Sequence, residues 1–328
     1  MPTDAPTAPP SPLLAELAEG AFFEGYYAIR ESSLHAAVNG KRYIRLTLGD
    51  SSGQLAGNVW DATQDLHLSI PAGSIVKAQG LVETYKGRRQ AKVTAIRPTH
   101  ASEINGLSFI PRSSADPRQL RDEMAAITLR VQDADYQRLL RAFLDDPEFI
   151  GHFSRAPAAK EVHHAYLGGL REHAVNVARM ARHLCDSPAG AGLDASLLLT
   201  GALLHDIGKL REYRYDVTID KTDIGRLLGH ITLGVIMVEE RSAALPGFPE
   251  AKRRLLQHLI LSHHGTHEFG SPVLPATPEA LALHHLDNLD AKTDIARRLI
   301  NDDPDPRRRW TDRAWMLDTA LFKGFDAP

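Results

Sequence analysis

The sequence predicts a multidomain chain in which a small all-β barrel precedes an all-α domain. Residues 13–100 contain short runs in which apolar and polar residues alternate, which is the pattern of half-buried strands. From about residue 120 the apolar residues recur instead at helical spacing. The length of 328 residues, at roughly 150 residues per domain, also favours two domains.

The composition is that of an ordinary globular chain. Hydrophobic residues make up 43% of it and charged residues 24%, with a net charge of −3. These values exclude a collagen, a disulfide scaffold and a wholly disordered protein. The single cysteine, Cys185, cannot form an intrachain disulfide, so we expect a reducing, cytoplasmic location. No apolar run approaches the ~18 residues of a membrane span, and we expect no membrane association.

The first hundred residues predict a barrel behind a short tail. Residues 1–12, MPTDAPTAPPSP, are rich in proline and are predicted to be a disordered tail. Strands are predicted at about 22–29, 43–48, 54–60, 75–84 and 89–96, with turn sequences at 49–53 and 85–88. Five short strands of this kind suit a small Greek-key barrel such as the OB-fold, over residues 13–100.

The remaining chain predicts a linker and a helical domain. Residues 101–119 are predicted as the linker, and Asp116-Pro117 at its end is a good helix start. Further helices are predicted at about 133–144, 165–185, 195–209, 228–242, 250–262, 278–299 and 311–322. The second domain, residues 120–328, is therefore expected to be all-α.

Histidine is concentrated in the helical part. Thirteen of the 16 histidines lie between His152 and His285, and histidine is both the commonest metal ligand and the acid–base residue of neutral pH. Any one of them is more often structural than functional. Their joint order within one helical region favours function, and the residues in that order are His173, His205-Asp206, His230, His263-His264 and Asp287.

The adjacent pair His205-Asp206 carries the most information. Neighbouring helical residues point about 100° apart, so the pair can hold one ion from two sides or bring a carboxylate between two ions. Gly208 suggests either a close approach of two backbones or a helix end. Lys209 lies one turn on, on the face of the pair, where its charge could meet a phosphate.

These residues resemble the HD superfamily of metal-dependent phosphohydrolases, which is named for the adjacent pair. With the barrel in front, the chain resembles more closely the YhaM family of bacterial 3′–5′ exoribonucleases. The segments that carry the resemblance are HHAYLGGLREH at 163–173, LHDIGK at 204–209, LSHHG at 261–265, EFGSP at 268–272 and LDNLDAK at 286–292.

The resemblance implies two divalent transition-metal ions. His173, His205, Asp206 and Asp287 would hold one ion, with Asp290 as the reserve for Asp287. Asp206 would bridge to a second ion held by His230 and by His263 or His264, between which the sequence does not choose. Ligands of this kind, without thiolates, suit Mn first, and also Fe, Co or Ni. Asp206 and Lys209 would be the catalytic residues, Lys209 by stabilising charge in the transition state.

The implied activity is hydrolysis of single-stranded RNA from its 3′ end to nucleoside monophosphates, with single-stranded DNA and a homo-oligomer left open. The barrel would hold the strand through outward aromatic and basic side chains. These are Tyr43, Arg45, Trp60, Lys77, Tyr85, Lys86, Arg88 and Arg89. The competing interpretation of the barrel is that Arg45 and Lys77 are a solvated face and that Trp60 caps the core.

Two other functions stay open. One is an HD phosphohydrolase acting on a small nucleotide or cyclic nucleotide, against which the barrel argues because a free nucleotide needs no strand-holding platform. The other is a non-catalytic nucleic-acid-binding protein. The full set of metal-ligand residue types argues against it.

Overall fold

A computed structural model describes residues 11–37, 40–99, 109–303, 305 and 307–325. Much of the predicted tail at 1–12, and residues 101–108 of the predicted linker, lie outside the described residues. The chain divides into two compact units, one of Met1–Arg112 with Tyr215–Ile219 and one of Ser113–Arg214 with Asp220–Pro328.

The first unit is built on a closed five-stranded barrel. Its strands are β1 (Phe22–Ala36), β2 (Arg42–Gly49), β3 (Gln54–Trp60), β4 (Ile75–Tyr85) and β5 (Arg88–Pro98), in the closed order β1-β2-β3-β5-β4. Only the β3–β5 pairing is parallel among these strands. A short helix, α1 (Gln64–Ser69), connects β3 to β4. This is the OB-like barrel that the strand pattern predicts.

The alternation of buried and exposed residues along the strands defines the barrel core. Ile44, Leu46 and Leu48 on β2 are buried, and the residues between them face outward or are half-buried. Strand β1 is long enough to serve two partners, because residues 22–28 pair with β4 and residues 28–36 with β2. A bulge between Ile29 and Glu31 marks the change of partner.

The second unit is helical. Its helices are α2 (Pro117–Arg130), α3 (Ala134–Leu144), α4 (Pro147–Phe153), α5 (Gly169–Asp186), α6 (Ala195–Leu204), α7 (Lys209–Glu212), α8 (Asp223–Ala243), α9 (Glu250–Ser262) and α10 (Pro278–Asn301). Aspartates at 116, 133 and 146 cap the first three by accepting backbone N–H groups. The most buried helix is α6, which packs against α5, α9 and α10.

The predicted fold class, a barrel followed by a helical domain, is confirmed. Two details differ. A two-stranded hairpin, β6 (Tyr213–Tyr215) with β7 (Ile219–Lys221), interrupts the helices. The predicted helix at 311–322 is wrong, because backbone bridges join Trp310 to Phe322 and Ala314 to Thr319. Asp318 there has a φ of 53°, which no α-helix contains.

None of the helices in the described residues has the length and the apolar composition that crossing a bilayer requires.

Candidate metal centre

His173 enters the site from the first turns of α5. Gly168, with a φ of 85°, precedes the helix. A Cβ on Gly169 would lie 2.1 Å from the His164 carbonyl oxygen, so only glycine permits this approach of the two segments. His173 is fully buried, and its Nδ1 lies 2.8 Å from Asp290 Oδ2.

His205 and Asp206 follow directly on the C-terminus of α6. His205 Nδ1 lies 3.0 Å from the Ala202 carbonyl oxygen, so Nδ1 donates and Nε2 points into the site. A Cβ on Gly208 would lie 1.9 Å from the His230 carbonyl oxygen. Of the two explanations that the sequence offered for Gly208, the close approach of two backbones is therefore correct, since α6 already ends at Leu204.

His230 lies on α8 just after a break in the helix. Gly229 has a φ of 69°, a left-handed value that glycine adopts without strain. The Nδ1 of His230 lies 3.2 Å from Glu212 Oε2. Glu212 is buried and also lies 3.0 Å from the Lys221 ammonium. The sequence alone does not reveal Glu212, since no spacing relates it to His230.

His263 and His264 lie at the C-terminus of α9, and both have carbonyl partners. The Nδ1 of His263 lies 2.7 Å from the Ile260 oxygen, and the Nδ1 of His264 lies 2.6 Å from the Phe269 oxygen. Both rings therefore present Nε2 to the site. Together with His230 they form one group of ligand atoms that lie within 4.8 Å of one another.

Asp287 and Asp290 on α10 have different positions. Asp287 Oδ1 lies 3.0 Å from His173 Nε2 and 3.7 Å from His205 Nε2, which makes a second group of ligand atoms. Asp290 lies behind that group, where its Oδ2 contacts His173 Nδ1 and, at 2.8 Å, His164 Nε2. Asp287 therefore lies on the Nε2 side of His173, together with His205, whereas Asp290 lies on the Nδ1 side, together with His164.

Asp206 lies between the two groups. Its Oδ2 is 3.5 Å from His173 Nε2 and 3.4 Å from His205 Nε2. Its Oδ1 is 3.5 Å from His230 Nε2 and 3.6 Å from His263 Nε2. Each oxygen of this one carboxylate thus faces a different set of imidazoles.

The residues fit a pair of cations. Seven buried side-chain atoms have no hydrogen-bond partner among the described residues, and three of them are candidate ligand atoms of this site: Asp206 Oδ1, His230 Nε2 and His263 Nε2. A buried polar atom without a partner costs about 1–3 kcal/mol, so three that converge in one site require an explanation. Imidazole and carboxylate donors converging in this way suit divalent transition metals.

The charges of the site are strongly coupled. Burial alone would raise the pKa of Asp206, but the Lys209 ammonium and the imidazole of His205 hold that pKa well below its usual range. Burial lowers the pKa of His263, which keeps this ring neutral and its Nε2 free. Burial opposes charge on His173, yet Asp287 and Asp290 raise its pKa to about 10. The carboxylates around His173 thus favour positive charge next to them, which the proton on His173 supplies in the absence of an ion.

An open cavity of about 210 Å³ gives access to the site. Lys209 lines it, with Nζ 2.6 Å from Asp206 Oδ2. The lining residues are His163, Asp206, Lys209, His263, His264, Phe269, His284, Asp287, Asn288 and Ala291.

Comparison with known proteins identifies the relatives of this chain. The HD domain family matches residues 170–292, which include every ligand position described above. A curated protein of Bacillus subtilis (strain 168), "3′-5′ exoribonuclease YhaM", is 35% identical over 90% of this chain and 93% of its own. The protein of the same name from Shouchella clausii is 33% identical over 86% of this chain and 87% of its own. This chain belongs to the YhaM family.

A solved structure also matches the barrel of this YhaM-family chain. It is the second OB-fold domain of replication protein A from Methanococcus maripaludis, which is 17% identical over 26% of this chain and 92% of its own, with a TM-score of 0.22. The barrel assignment itself follows from the strand order.

The barrel of the YhaM-family chain exposes part of the predicted nucleic-acid surface. The Tyr43 and Trp60 rings are cross-strand neighbours with centroids 5.0 Å apart, and His35 stacks on Tyr43 at 5.4 Å. Trp60 is 53% exposed, so it does not cap the core. The exposed Arg45 lies two residues beyond Tyr43 on the same face of β2, opposite Asn58, which in turn pairs with Lys92. His35 and Lys92 lie beside the predicted surface residues, and the sequence alone did not indicate either of them.

The other predicted surface residues lie on β4 and β5. Tyr85, Lys86 and Arg88 lie at the β4–β5 turn, where the Lys86 ammonium is 5.4 Å from the Tyr85 ring centroid. Lys77 is paired with Glu24 at 2.6 Å, and Arg89 donates to the Leu14 carbonyl oxygen at 2.8 Å. These last two cations are engaged within the barrel, and their contact with RNA stays a prediction.

Proposed function

We propose that this chain is a metal-dependent 3′–5′ exoribonuclease that hydrolyses single-stranded RNA to nucleoside monophosphates. The observation that carries the proposal is the Asp206 carboxylate, each oxygen of which faces a separate set of histidine Nε2 atoms. Relatives of the same architecture that bear the name 3′–5′ exoribonuclease support it. The lone cysteine suits action in the cytoplasm.

Two ions, with Mn first and Fe, Co or Ni as alternatives, would be held by the two groups of side chains. His173, His205 and Asp287 would hold one ion, His230, His263 and His264 the other, and Asp206 would contact both. Such ions supply Lewis acidity that activates water and neutralises charge on a phosphodiester. The choice of both His263 and His264 is supported by their common orientation, with each Nδ1 donating to a carbonyl.

The remaining residues of the cavity position the substrate. The Lys209 ammonium adds positive charge beside Asp206, where a phosphate would approach.

On the barrel, the adjacent Tyr43 and Trp60 rings and the exposed Arg45 suit a single strand, whose bases stack and whose phosphates attract cations. Single-stranded DNA could use the same surface. A small nucleotide would need none of it, which favours RNA over a free nucleotide.

Replacing Asp206 tests the proposal. With Mn²⁺ and an RNA labelled at its 5′ end, the wild type should produce a ladder of products shortened from the 3′ end. Asp206→Ala and the isosteric Asp206→Asn should lose cleavage by a factor of about 10³ or more and still bind RNA, since the barrel is unchanged. The exposed Asp145→Asn is the matched control and should cleave normally. Cleavage by both Asp206 variants, or turnover of cyclic nucleotides but not RNA, would refute the assignment.

A further inference from the structure

Phe269 is a large apolar side chain in a cavity that is otherwise lined mainly by charged and polar residues. Phe269 lines the same cavity as Asp206, Lys209 and Asp287, yet 61% of its surface is exposed. Among the described residues, Phe269 and Ala291 are the only apolar side chains of the lining. The Phe269 ring contacts no other aromatic ring in the described part of the chain. A large apolar ring at the mouth of a charged cavity is a typical ligand contact.

The backbone holds this ring in a fixed place. Phe269 closes a 3₁₀ turn, with its N–H donating to the Thr266 carbonyl oxygen at 3.2 Å. The Ser271 N–H donates to the same Thr266 oxygen at 3.1 Å. Gly270, with a φ of 86°, allows the chain to reverse there. The segment is therefore a short ordered turn whose one large apolar side chain faces the cavity.

The turn is also connected directly to the metal centre. His264 Nδ1 lies 2.6 Å from the Phe269 carbonyl oxygen, so the backbone of Phe269 orients that imidazole. This hydrogen bond fixes the backbone of Phe269 relative to His264. Since the bond uses the backbone, replacing the Phe269 side chain leaves it in place.

We propose that Phe269 stacks on the base of the 3′-terminal nucleotide and so places the terminal phosphodiester at the metal centre. This inference rests on the proposed exoribonuclease function. A nucleotide whose phosphate lies beside Lys209 and Asp206 needs an apolar face for its base in the same cavity, and Phe269 is the ring available there. Every base has a π-face, so a single ring suits a nuclease that removes nucleotides of any sequence.

The test compares two RNAs that differ only in their last nucleotide, one ordinary and one abasic. For the wild type, the abasic end should raise KM about tenfold or more, which corresponds to the loss of one base–aromatic stack. Phe269→Ala should raise KM by a similar factor for the ordinary RNA and should leave the abasic RNA unaffected. Phe269→Trp should restore the ordinary KM. Bound Mn, measured in each variant, should equal that of the wild type.

A control variant and the wild type distinguish failure of the Phe269 proposal from failure of the exoribonuclease function. Phe325→Ala removes another exposed phenylalanine, 76% accessible and absent from the cavity lining, and should leave the KM of both RNAs unchanged. If Phe269→Ala raised KM equally for both RNAs, or lost bound Mn, the side chain would have a structural role and the proposal would be overturned. An unchanged KM for both RNAs in Phe269→Ala would also overturn the proposal. If the wild type fails to shorten the ordinary RNA, the exoribonuclease function itself fails.

Discussion

His173 and His205 point their Nε2 atoms at each other across 3.1 Å. The Nδ1 of His205 donates to a carbonyl oxygen, and the Nδ1 of His173 faces the Asp290 carboxylate. Without an ion, the raised pKa of His173 lets its Nε2 carry a proton that the Nε2 of His205 accepts. When that proton leaves, both Nε2 atoms present lone pairs to the same point, which suits a metal ion. This relationship, more than any single residue, indicates a metal centre and leads to the first prediction.

Adding Mn²⁺ to chelator-treated protein should raise its melting temperature. Ions at about 100 times Kd stabilise the folded state by about 2.7 kcal/mol, which corresponds to about 5–10 °C for a domain of this size. Differential scanning fluorimetry measures the shift. Mg²⁺, which prefers oxygen ligands, should give a smaller one. The absence of any shift with Mn, Fe, Co and Ni would contradict the metal centre.

Glu212→Gln should weaken metal binding without unfolding the protein. Glu212 supports His230, and removing such a supporting carboxylate typically lowers metal affinity by about 10–100-fold. Titration with Mn²⁺, followed by calorimetry, measures the affinity. Glu240→Gln is the control, because Glu240 pairs with Arg211 on the surface. Equal affinities in the two variants would remove Glu212 from the site.

Gly208→Ala should destabilise the helical unit. The added Cβ would lie 1.9 Å from the His230 carbonyl oxygen, which is backbone and cannot rotate away. We expect a loss of about 1–3 kcal/mol in the free energy of unfolding, as for other overpacked sites. Urea unfolding measures it. Gly151→Ala, in the middle of α4 with open space around it, should instead be neutral or stabilising.

Trp60→Ala should weaken the binding of single-stranded RNA. Loss of one base–aromatic stack costs about 1–3 kcal/mol, which is roughly 5- to 150-fold in Kd. Fluorescence anisotropy with Asp206→Asn as the parent avoids cleavage during the measurement. Phe22→Ala removes an aromatic side chain of similar exposure that pairs across to β4, and it should bind RNA normally. Unchanged binding by Trp60→Ala would place the RNA on another surface.

The ion pairs of Lys252 with Asp133 and Asp135 should stabilise the protein near neutral pH and lose this effect in acid. Its ammonium lies 2.5 Å from Asp133 and 2.7 Å from Asp135. Burial raises the pKa of Asp133, but the hydrogen bonds from Lys252 and from the backbone of Tyr136 outweigh burial and lower it below 3.8. A lowered folded-state pKa means that the stabilisation is complete above the unfolded value and disappears as the pH falls through the folded one.

The difference in unfolding free energy between wild type and Lys252→Met should therefore be constant near neutral pH and shrink below about pH 4. Both proteins are compared with chelator present, so that metal release cancels. A difference that grows in acid would contradict this sign.

Local patterns determined most of the fold. Alternating residues such as Ile44, Leu46 and Leu48 placed the strands, because strand burial repeats every second residue. The predicted helix at 311–322 failed, since its spacing resembles a helix while Asp318 adopts a left-handed conformation.

The sequence by itself determined which residue types gather in the helical unit, because the His205-Asp206 pair and its neighbours lie in recognisable segments. Tertiary structure alone decided their roles. Asp287 and Asp290 lie one turn apart on α10, and only packing turns one toward Nε2 of His173 and the other toward Nδ1. Glu212 has no local signal, because its partner His230 meets it across a contact between two helices. Spacing along a chain specifies faces of one element, whereas ligand geometry depends on how separate elements pack.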